Sequence, residues 1–481
     1  MKILIVGGVA GGASAAAKLR RFSEEDEIIM FERGPHVSFS NCALPYHLSG
    51  MIEPASRLVL MNPEKFKKQY NIEARVNEEV VAIDRARKVI KIKKVLTGEV
   101  YEESYDKLIL SPGAKPNKPE IQGSENMPIF TVRNVEDIAK IKSYMVENKL
   151  TQIAIVGGGY IGIEVAENIR EAGYEVSLIE GAPQILRTFD EEMVQVFHKV
   201  LDDHGVKLLL NHQIKALEKD YVILSDDTKV PAQMVIMAIG VHAENELAKM
   251  AGLEVTQMGS IAVDNSFRTN DPDIYAIGDA IEVNSLLTDE KMRLTLAGPA
   301  QKAARAVAGH INGEEVKKQA YIGSSAIKVF DYNGASTGLT EAQIKMKNLS
   351  IKYDKVHFML GDKVGLMPDS SPMHFKLIYE VPSGRVLGAQ AIGKGSVDKR
   401  IDVIATAMKF NATVYDLREL ELCYAPPFGT AKDIVNYAGF IACNVLEGRF
   451  KQITVDKVRD LVAQGAYIVD VREKGEYERG H

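Results

Sequence analysis

Cys42 lies in the run Ser38-Phe39-Ser40-Asn41-Cys42-Ala43-Leu44-Pro45-Tyr46 and is the only cysteine in the N-terminal half of the chain. No second cysteine follows at the short spacing of a dithiol pair, since Cys423 and Cys443 stand near the far end. A solitary thiol shortly after a glycine-rich turn points to single-cysteine redox chemistry, cycling as thiolate, sulfenate, persulfide or mixed disulfide. The plain alternative is a small buried hydrophobe. A second group of interest is Tyr424, in Leu422-Cys423-Tyr424-Ala425-Pro426-Pro427-Phe428-Gly429. Two adjacent prolines force extended backbone there, so the phenol is presented from a rigid, non-regular segment.

Two repeated units must position these groups. The stretch Ile3–Val6, Gly7-Gly8-Val9-Ala10-Gly11-Gly12, Ala13–Arg21 reads as strand, tight turn and helix, followed by a strand Glu27–Phe31 that ends in Glu32. That acid stands about 20 residues past the last glycine, where a βαβ nucleotide fold places its ribose-binding carboxylate. The pattern recurs as Gln152–Val156, Gly157-Gly158-Gly159-Tyr160-Ile161-Gly162, Ile163–Ala172 and Glu175–Ile179, ending in Glu180. One such fingerprint is weak evidence, whereas two in full context are strong. The first departs from the ideal at Val9, where the middle glycine should stand, yet Gly7, Gly8, Gly11 and Gly12 still let a helix N-terminus approach a pyrophosphate. Glu180 would bond a ribose 2′-hydroxyl and repel a 2′-phosphate. No cation follows it until Arg187, so the spacing favours NADH, with NADPH as the alternative donor.

Composition bounds the rest. The 481 residues are enough for about three domains. A net charge of −6 without a basic stripe argues against nucleic acid. No apolar run approaches a membrane span, the start has no signal-peptide pattern, and three scattered cysteines fit a reducing cytoplasm. The histidines show no metal-ligand spacing, so no metal is expected. From about Tyr321 the pattern turns to strands (Ser325–Phe330, His374–Tyr379, Val386–Ile392) and a helix at Lys399–Phe410. After Gly448 a helix near Val455–Gln464 leads to an expected strand, Tyr467–Val471.

On Cys42 and its flanks, both fingerprints, Tyr424-Ala425-Pro426-Pro427 and Thr269-Asn270-Asp271-Pro272-Asp273-Ile274-Tyr275-Ala276-Ile277-Gly278-Asp279-Ala280, the chain resembles the coenzyme A-disulfide reductase family. That family includes NADH-dependent persulfide and polysulfide reductases, and the resemblance covers about residues 1–450. It implies an α/β fold with two Rossmann-like dinucleotide-binding domains, for FAD and NAD, plus an α+β dimerisation domain. The expected division is 1–117 and 241–320 for FAD, 118–240 for NAD(P), 321–450 for the interface, and 451–481 as the opening of an incomplete rhodanese-like segment. A complete rhodanese carries its own sulfur-transferring cysteine well beyond that point.

The resemblance also implies roles. FAD falls to Gly7, Gly8, Gly11, Gly12, Glu32, Arg33, Gly113, Gly278, Asp279 and Ala297. NAD falls to Gly157, Gly159, Tyr160, Ile161, Gly162, Glu164, Glu180 and Gly240, with Tyr160 as an aromatic gate to the nicotinamide. Cys42, expected as a thiolate at a helix start, attacks sulfur, and Tyr424, supplied across a homodimer, protonates the leaving thiolate. Coenzyme A, if bound, would meet Ser14, Lys18, Arg21, Ser38, Asn41 and Lys432. One departure bears on substrate: the family's loop with a tyrosine pair is matched by Gly365-Leu366-Met367-Pro368-Asp369-Ser370-Ser371-Pro372-Met373, which has none. CoA disulfide itself loses weight, and persulfide, polysulfide or another small disulfide gains it. A rival on the same scaffold is an NADH oxidase or peroxidase with Cys42 cycling as sulfenate.

Overall fold

Alternation of short apolar strands with helices produces two parallel sheets in a computed structural model that describes residues 1–480. In the first sheet Lys2–Val6 lies centrally, between Glu27–Glu32 and Lys107–Leu110, and the order runs Ile274–Ala276, Lys107–Leu110, Lys2–Val6, Glu27–Glu32, Glu73–Val76. Every residue from Ile3 to Val6 is buried, as expected where helices cover both faces of a parallel sheet. The second sheet repeats the plan around Gln152–Val156, in the order Val206–Leu210, Glu175–Glu180, Gln152–Val156, Val235–Met237, Ile129–Thr131. Both expected strand–turn–helix units form. Their helices start earlier than the sequence suggests, at Ala10–Arg20 and Tyr160–Glu171, so Gly11, Gly12 and Gly162 lie inside the first turns.

The third sheet is antiparallel: Ser324–Val329, Tyr332–Gly338, Val386–Gly393, Pro372–Glu380, Tyr353–Gly361. Helices Val397–Lys409, Val414–Glu419 and Ile434–Leu446 pack over it around Phe375, Leu377, Ile404 and Val435. The architecture is α/β, with parallel Rossmann-like sheets joined to an antiparallel domain.

The seam between the second and third sheets is polar. Lys376 is fully buried, and its ammonium reaches Asp190 at 2.7 Å, Glu341 at 2.6 Å and Glu192 at 2.5 Å. Burial alone would lower its pKa, but the facing carboxylates raise it on balance. Gln390 donates to Asp190 at 2.7 Å and accepts from its backbone N–H at 2.7 Å. These three carboxylates are a trio that could hold a cation, and in this fold a lysine fills the space between them.

One expectation fails. Tyr467–Val471 forms no strand, although the helix before it is present as Val455–Ala463. Tyr467 and Val471 are about nine-tenths exposed, and among the described residues no neighbouring strand takes the backbone hydrogen bonds. Among the described residues no helix is long and apolar enough to cross a membrane.

Candidate active site

Cys42 lies where the two dinucleotide units meet. The chain leaves the first unit through Ser38, whose N–H bonds Gly8 O at 2.8 Å in a left-handed conformation (φ +48°). It then makes two single turns of 3-10 helix, Asn41–Ala43 and Pro45–His47. Leu44 and Leu48 sink into the core of the second unit, Ser49 Oγ donates to Asn168 Oδ1 at 2.7 Å, and Lys142 Nζ donates to His47 O at 2.8 Å. The apolar residues of the motif are therefore anchors, and Asn41 and Cys42 are left exposed between them.

The helix start expected at Cys42 is a single three-residue turn. A three-residue turn carries almost no macrodipole, and the charges felt by the thiol are negative. Desolvation pushes the Cys42 thiol up, and the carboxylates of Glu164 and Asp279 push it further. Glu164, half-buried on helix Tyr160–Glu171, is itself pushed up to about 7 by burial, with nearby Glu167 adding to the effect. Glu167 is buried and paired with Lys328. The thiol thus faces a carboxyl group from each unit, and one of them titrates near neutrality.

The glycine turns have matching geometry. Gly7 and Gly157 adopt positive φ (+95° and +107°), and a Cβ on either would strike the backbone of Ser111 or Ala238, just past the end of the neighbouring strand. A Cβ on Gly12 or Gly162 would lie 1.8 Å from the oxygen of Gly7 or Gly157. Glu32 accepts from Gly8 N at 3.1 Å and Gly34 N at 3.0 Å; Glu180 accepts from Gly158 N at 2.6 Å and Ala182 N at 2.8 Å. Each strand-end acid therefore also braces its own glycine loop.

The fit of these turns to dinucleotides rests on the helix ends together with the open glycine sides. Helices Ala10–Arg20, Tyr160–Glu171 and Ala297–Ile311 have no side-chain cap, a feature they share with Glu191–Asp203, Glu246–Met250, Val397–Lys409 and Val455–Ala463, but only the first two of these seven begin at a glycine fingerprint. Uncapped N–H groups at the glycine turns are donors left for a phosphate. Nothing approaches the open side of Gly159 or Gly298 within 4 Å. Asp279 follows Gly278, its carboxyl raised by burial against the opposing pull of Arg133 and Arg293. Arg293 donates to Val241 O at 3.2 Å but keeps a buried Nε with no partner. Arg133, held below its usual range by desolvation, crowds the space beside Gly113. The set fits FAD on the first unit and a second dinucleotide on the other.

Neither arginine was legible in the sequence, because each comes from a loop without a motif. Arg33 is exposed and lies 3.7 Å from Glu244, which Lys115 also meets at 2.9 Å. Tyr160 reaches Thr188 and Ser325 through its hydroxyl; Ile161 is exposed, and Gly240 (φ +91°) makes the turn after Val235–Met237. Ser14 and Lys18 stand on the first helix, with the Lys18 ammonium 4.3 Å from the Phe22 ring, and Arg21 is exposed at its end.

Tyr424 is about half exposed on the third domain. Its segment runs beside the tyrosine-free loop: Val364 N bonds Gly429 O at 3.2 Å. Buried Arg400 ties the two together, donating to Asp362 O at 2.9 Å and Phe428 O at 3.2 Å and pairing with Asp433 at 3.2 Å. Among the described residues no hydrogen bond or ion pair joins Tyr424 or Lys432 to Cys42, Ser14 or Lys18.

Residues 1–304 match the family model for pyridine nucleotide-disulphide oxidoreductases, and residues 324–433 match the dimerisation domain of the same proteins. The chain belongs to this family. Within the pyridine nucleotide-disulphide oxidoreductases it is similar to the coenzyme A disulfide reductase of Staphylococcus aureus, with 35% identity over 92% of this chain and 99% of that protein. The solved structure of reduced Bacillus anthracis CoADR-RHD superposes with a TM-score of 0.97 at 45% identity, covering 100% of this chain and 86% of that one. A NAD-dependent persulfide reductase from A. fulgidus superposes at 0.91 with 32% identity, over 96% of this chain and 86% of that one. The protein is an oxidoreductase of the CoA disulfide reductase type, a family that implies FAD and NAD(P)H, and its dimerisation domain suggests a homodimer.

Proposed function

We propose that the chain passes electrons from NADH through FAD to the sulfur of a low-molecular-weight disulfide, CoA disulfide, CoA persulfide or polysulfide, with Cys42 as the group that meets the substrate. The observation that carries this reading is the position of Cys42. The lone thiol is exposed at the junction of the two units, under the influence of Glu164 from one and Asp279 from the other. When bound, FAD takes two electrons from the nicotinamide and supplies them to sulfur. Gly7, Gly8, Gly11, Gly12, Glu32, Gly278, Asp279 and Ala297 would hold it, with Arg133 and Arg293 added. Gly157, Gly159, Gly162 and Glu180 would hold NADH.

The Cys42 thiolate attacks a substrate sulfur, so a Cys42–S bond forms as the substrate S–S bond breaks. Tyr424 from the second copy of a homodimer donates a proton to the departing thiolate. Glu164, with its pKa near 7, can hold the proton that Cys42 gives up. The loop with Met367 in place of a tyrosine, set beside the Tyr424 segment, favours a persulfide or other small acceptor over CoA disulfide. Ser14, Lys18, Arg21, Ser38, Asn41 and Lys432 remain the proposed contacts for a coenzyme A moiety.

The test is Cys42→Ser. The variant should retain FAD and be bleached by NADH, while turnover of CoA disulfide, CoA persulfide and polysulfide drops by at least about 10³-fold. Undiminished turnover would reject the single-cysteine mechanism, and oxygen consumption at the full rate with NADH alone would point to an oxidase.

A further inference from the structure

We infer that Ser325 and Thr188 are positioning residues that clasp the Tyr160 hydroxyl, so that the first strand of the dimerisation domain sets how readily the nicotinamide gains its place. This deepens the proposed function and rests on the reading of Tyr160 as the ring that flanks the nicotinamide.

The geometry is specific. Tyr160 is the first residue of its helix, directly after Gly159, whose open side faces unfilled space beside an uncapped helix end. Its ring is partly buried against the core of the second unit, at the helix start that borders the proposed dinucleotide cradle. The hydroxyl lies 2.6 Å from Ser325 Oγ, 165 residues away in sequence, and 3.0 Å from Thr188 Oγ1. Ser325 Oγ is in turn 3.3 Å from Ser336 Oγ. Each hydroxyl has one proton to give and can also accept, so the three contacts link four groups in which either atom of each pair can be the donor.

Both partners are anchored. Thr188 lies in a turn where Leu186 N bonds Gly158 O at 2.8 Å, two residues before Asp190, which Lys376 and Gln390 hold. Ser325 is fixed in strand Ser324–Val329 opposite Ser336. The partners come from two separate parts of the chain, so the hydroxyl ties the first residue of the helix to both of them at once. To move aside, the ring must give up both hydrogen bonds, and a ligand that needs the open position binds more weakly by the fraction of protein that is open.

The test measures binding separately from turnover. Equilibrium dissociation constants for NAD⁺ and for a redox-inert reduced analogue, 1,4,5,6-tetrahydro-NADH, are read from the flavin absorbance change of the FAD-loaded protein. Tyr160→Phe keeps the ring and loses the clasp, and it should tighten binding by about 2- to 10-fold, the worth of one net hydrogen bond. The Ser325→Ala/Thr188→Val double variant should match it, and combining all three changes should give no further gain. Unchanged binding in Tyr160→Phe, or effects that simply add, would overturn the clasp. Tyr160→Ala separates the two readings. If it alters binding or the rate of flavin reduction while Tyr160→Phe does not, the gate stands and the clasp falls; if it alters neither, both fall. Melting temperatures of all variants show whether a change in binding is merely a loss of stability.

Discussion

The two dinucleotide units share one backbone solution and use it differently. In each, a positive-φ glycine starts the turn, a second glycine lets the helix pass against it, and a glutamate at the end of the next strand braces the loop. The difference lies in what the helix carries. After Val9 the first helix reads Ala10-Gly11-Gly12-Ala13-Ser14-Ala15-Ala16-Ala17, small residues that let it pack closely under helix Ala297–Ile311. After Gly159 the second helix carries Tyr160, Glu164 and Glu167, a hydroxyl and two carboxyl groups directed at the thiol segment and the third domain.

The sharpest way to break this contrast is to damage both turns equally. Gly12→Ala and Gly162→Ala each place a Cβ 1.8 Å from a backbone oxygen. Each should cost about 3 kcal/mol of stability, seen in thermal melts. Only Gly12→Ala should also shed flavin, read from the ratio of flavin to protein absorbance. If Gly162→Ala loses flavin to the same extent, the division of labour is wrong.

A smaller effect is expected from the bracing acids. Glu180→Ala should reduce the preference for NADH over NADPH, as the ratio of kcat/KM values, by about 10-fold. An unchanged ratio would mean that Glu180 only supports the loop, as its bonds to Gly158 and Ala182 allow.

The smallest effect concerns protons. Glu164 is raised to about 7, so it gains negative charge as pH passes through that value and opposes ionisation of Cys42 above it. Glu164→Gln should lower the apparent pKa of Cys42, followed by the pH dependence of its alkylation. The linkage runs the same way. A carboxyl whose folded pKa lies above its unfolded value makes the native state less stable as pH rises from the ordinary carboxylate range through about 7, and the Gln variant should lack that decline. An alkylation profile identical to that of the parent would remove Glu164 from the proton inventory.

What the sequence revealed and what it hid divide along physical lines. Gly7, Gly12, Gly157 and Gly162 were legible because tight turns impose glycine at fixed spacing, and Glu32 and Glu180 because strand length sets where the next acid falls. Arg133, Arg293, Thr188, Ser325 and Arg400 were not, since each acts across tens to hundreds of residues and no local pattern marks it. The charges around Cys42 were hidden for a related reason. The motif specifies the turn that holds the thiol, but the charges that face it come from Glu164 and Asp279, more than a hundred residues on. Tyr467–Val471 shows the opposite error, since strand propensity without a partner makes no strand.

The buried lysine at the domain seam limits how this molecule can be rebuilt. Lys376 belongs to the antiparallel sheet, Asp190 and Glu192 to the nucleotide unit, and Glu341 to the short helix after Tyr332–Gly338. Chimeras that take one domain from this chain and the other from a relative must move that cluster as a set. Otherwise a lone charge is buried, at a cost of about 3–5 kcal/mol, comparable with the whole stability of many domains. The domains are separable in sequence but matched in charge, and grafted pairs of them should succeed or fail on that match before any question of catalysis arises.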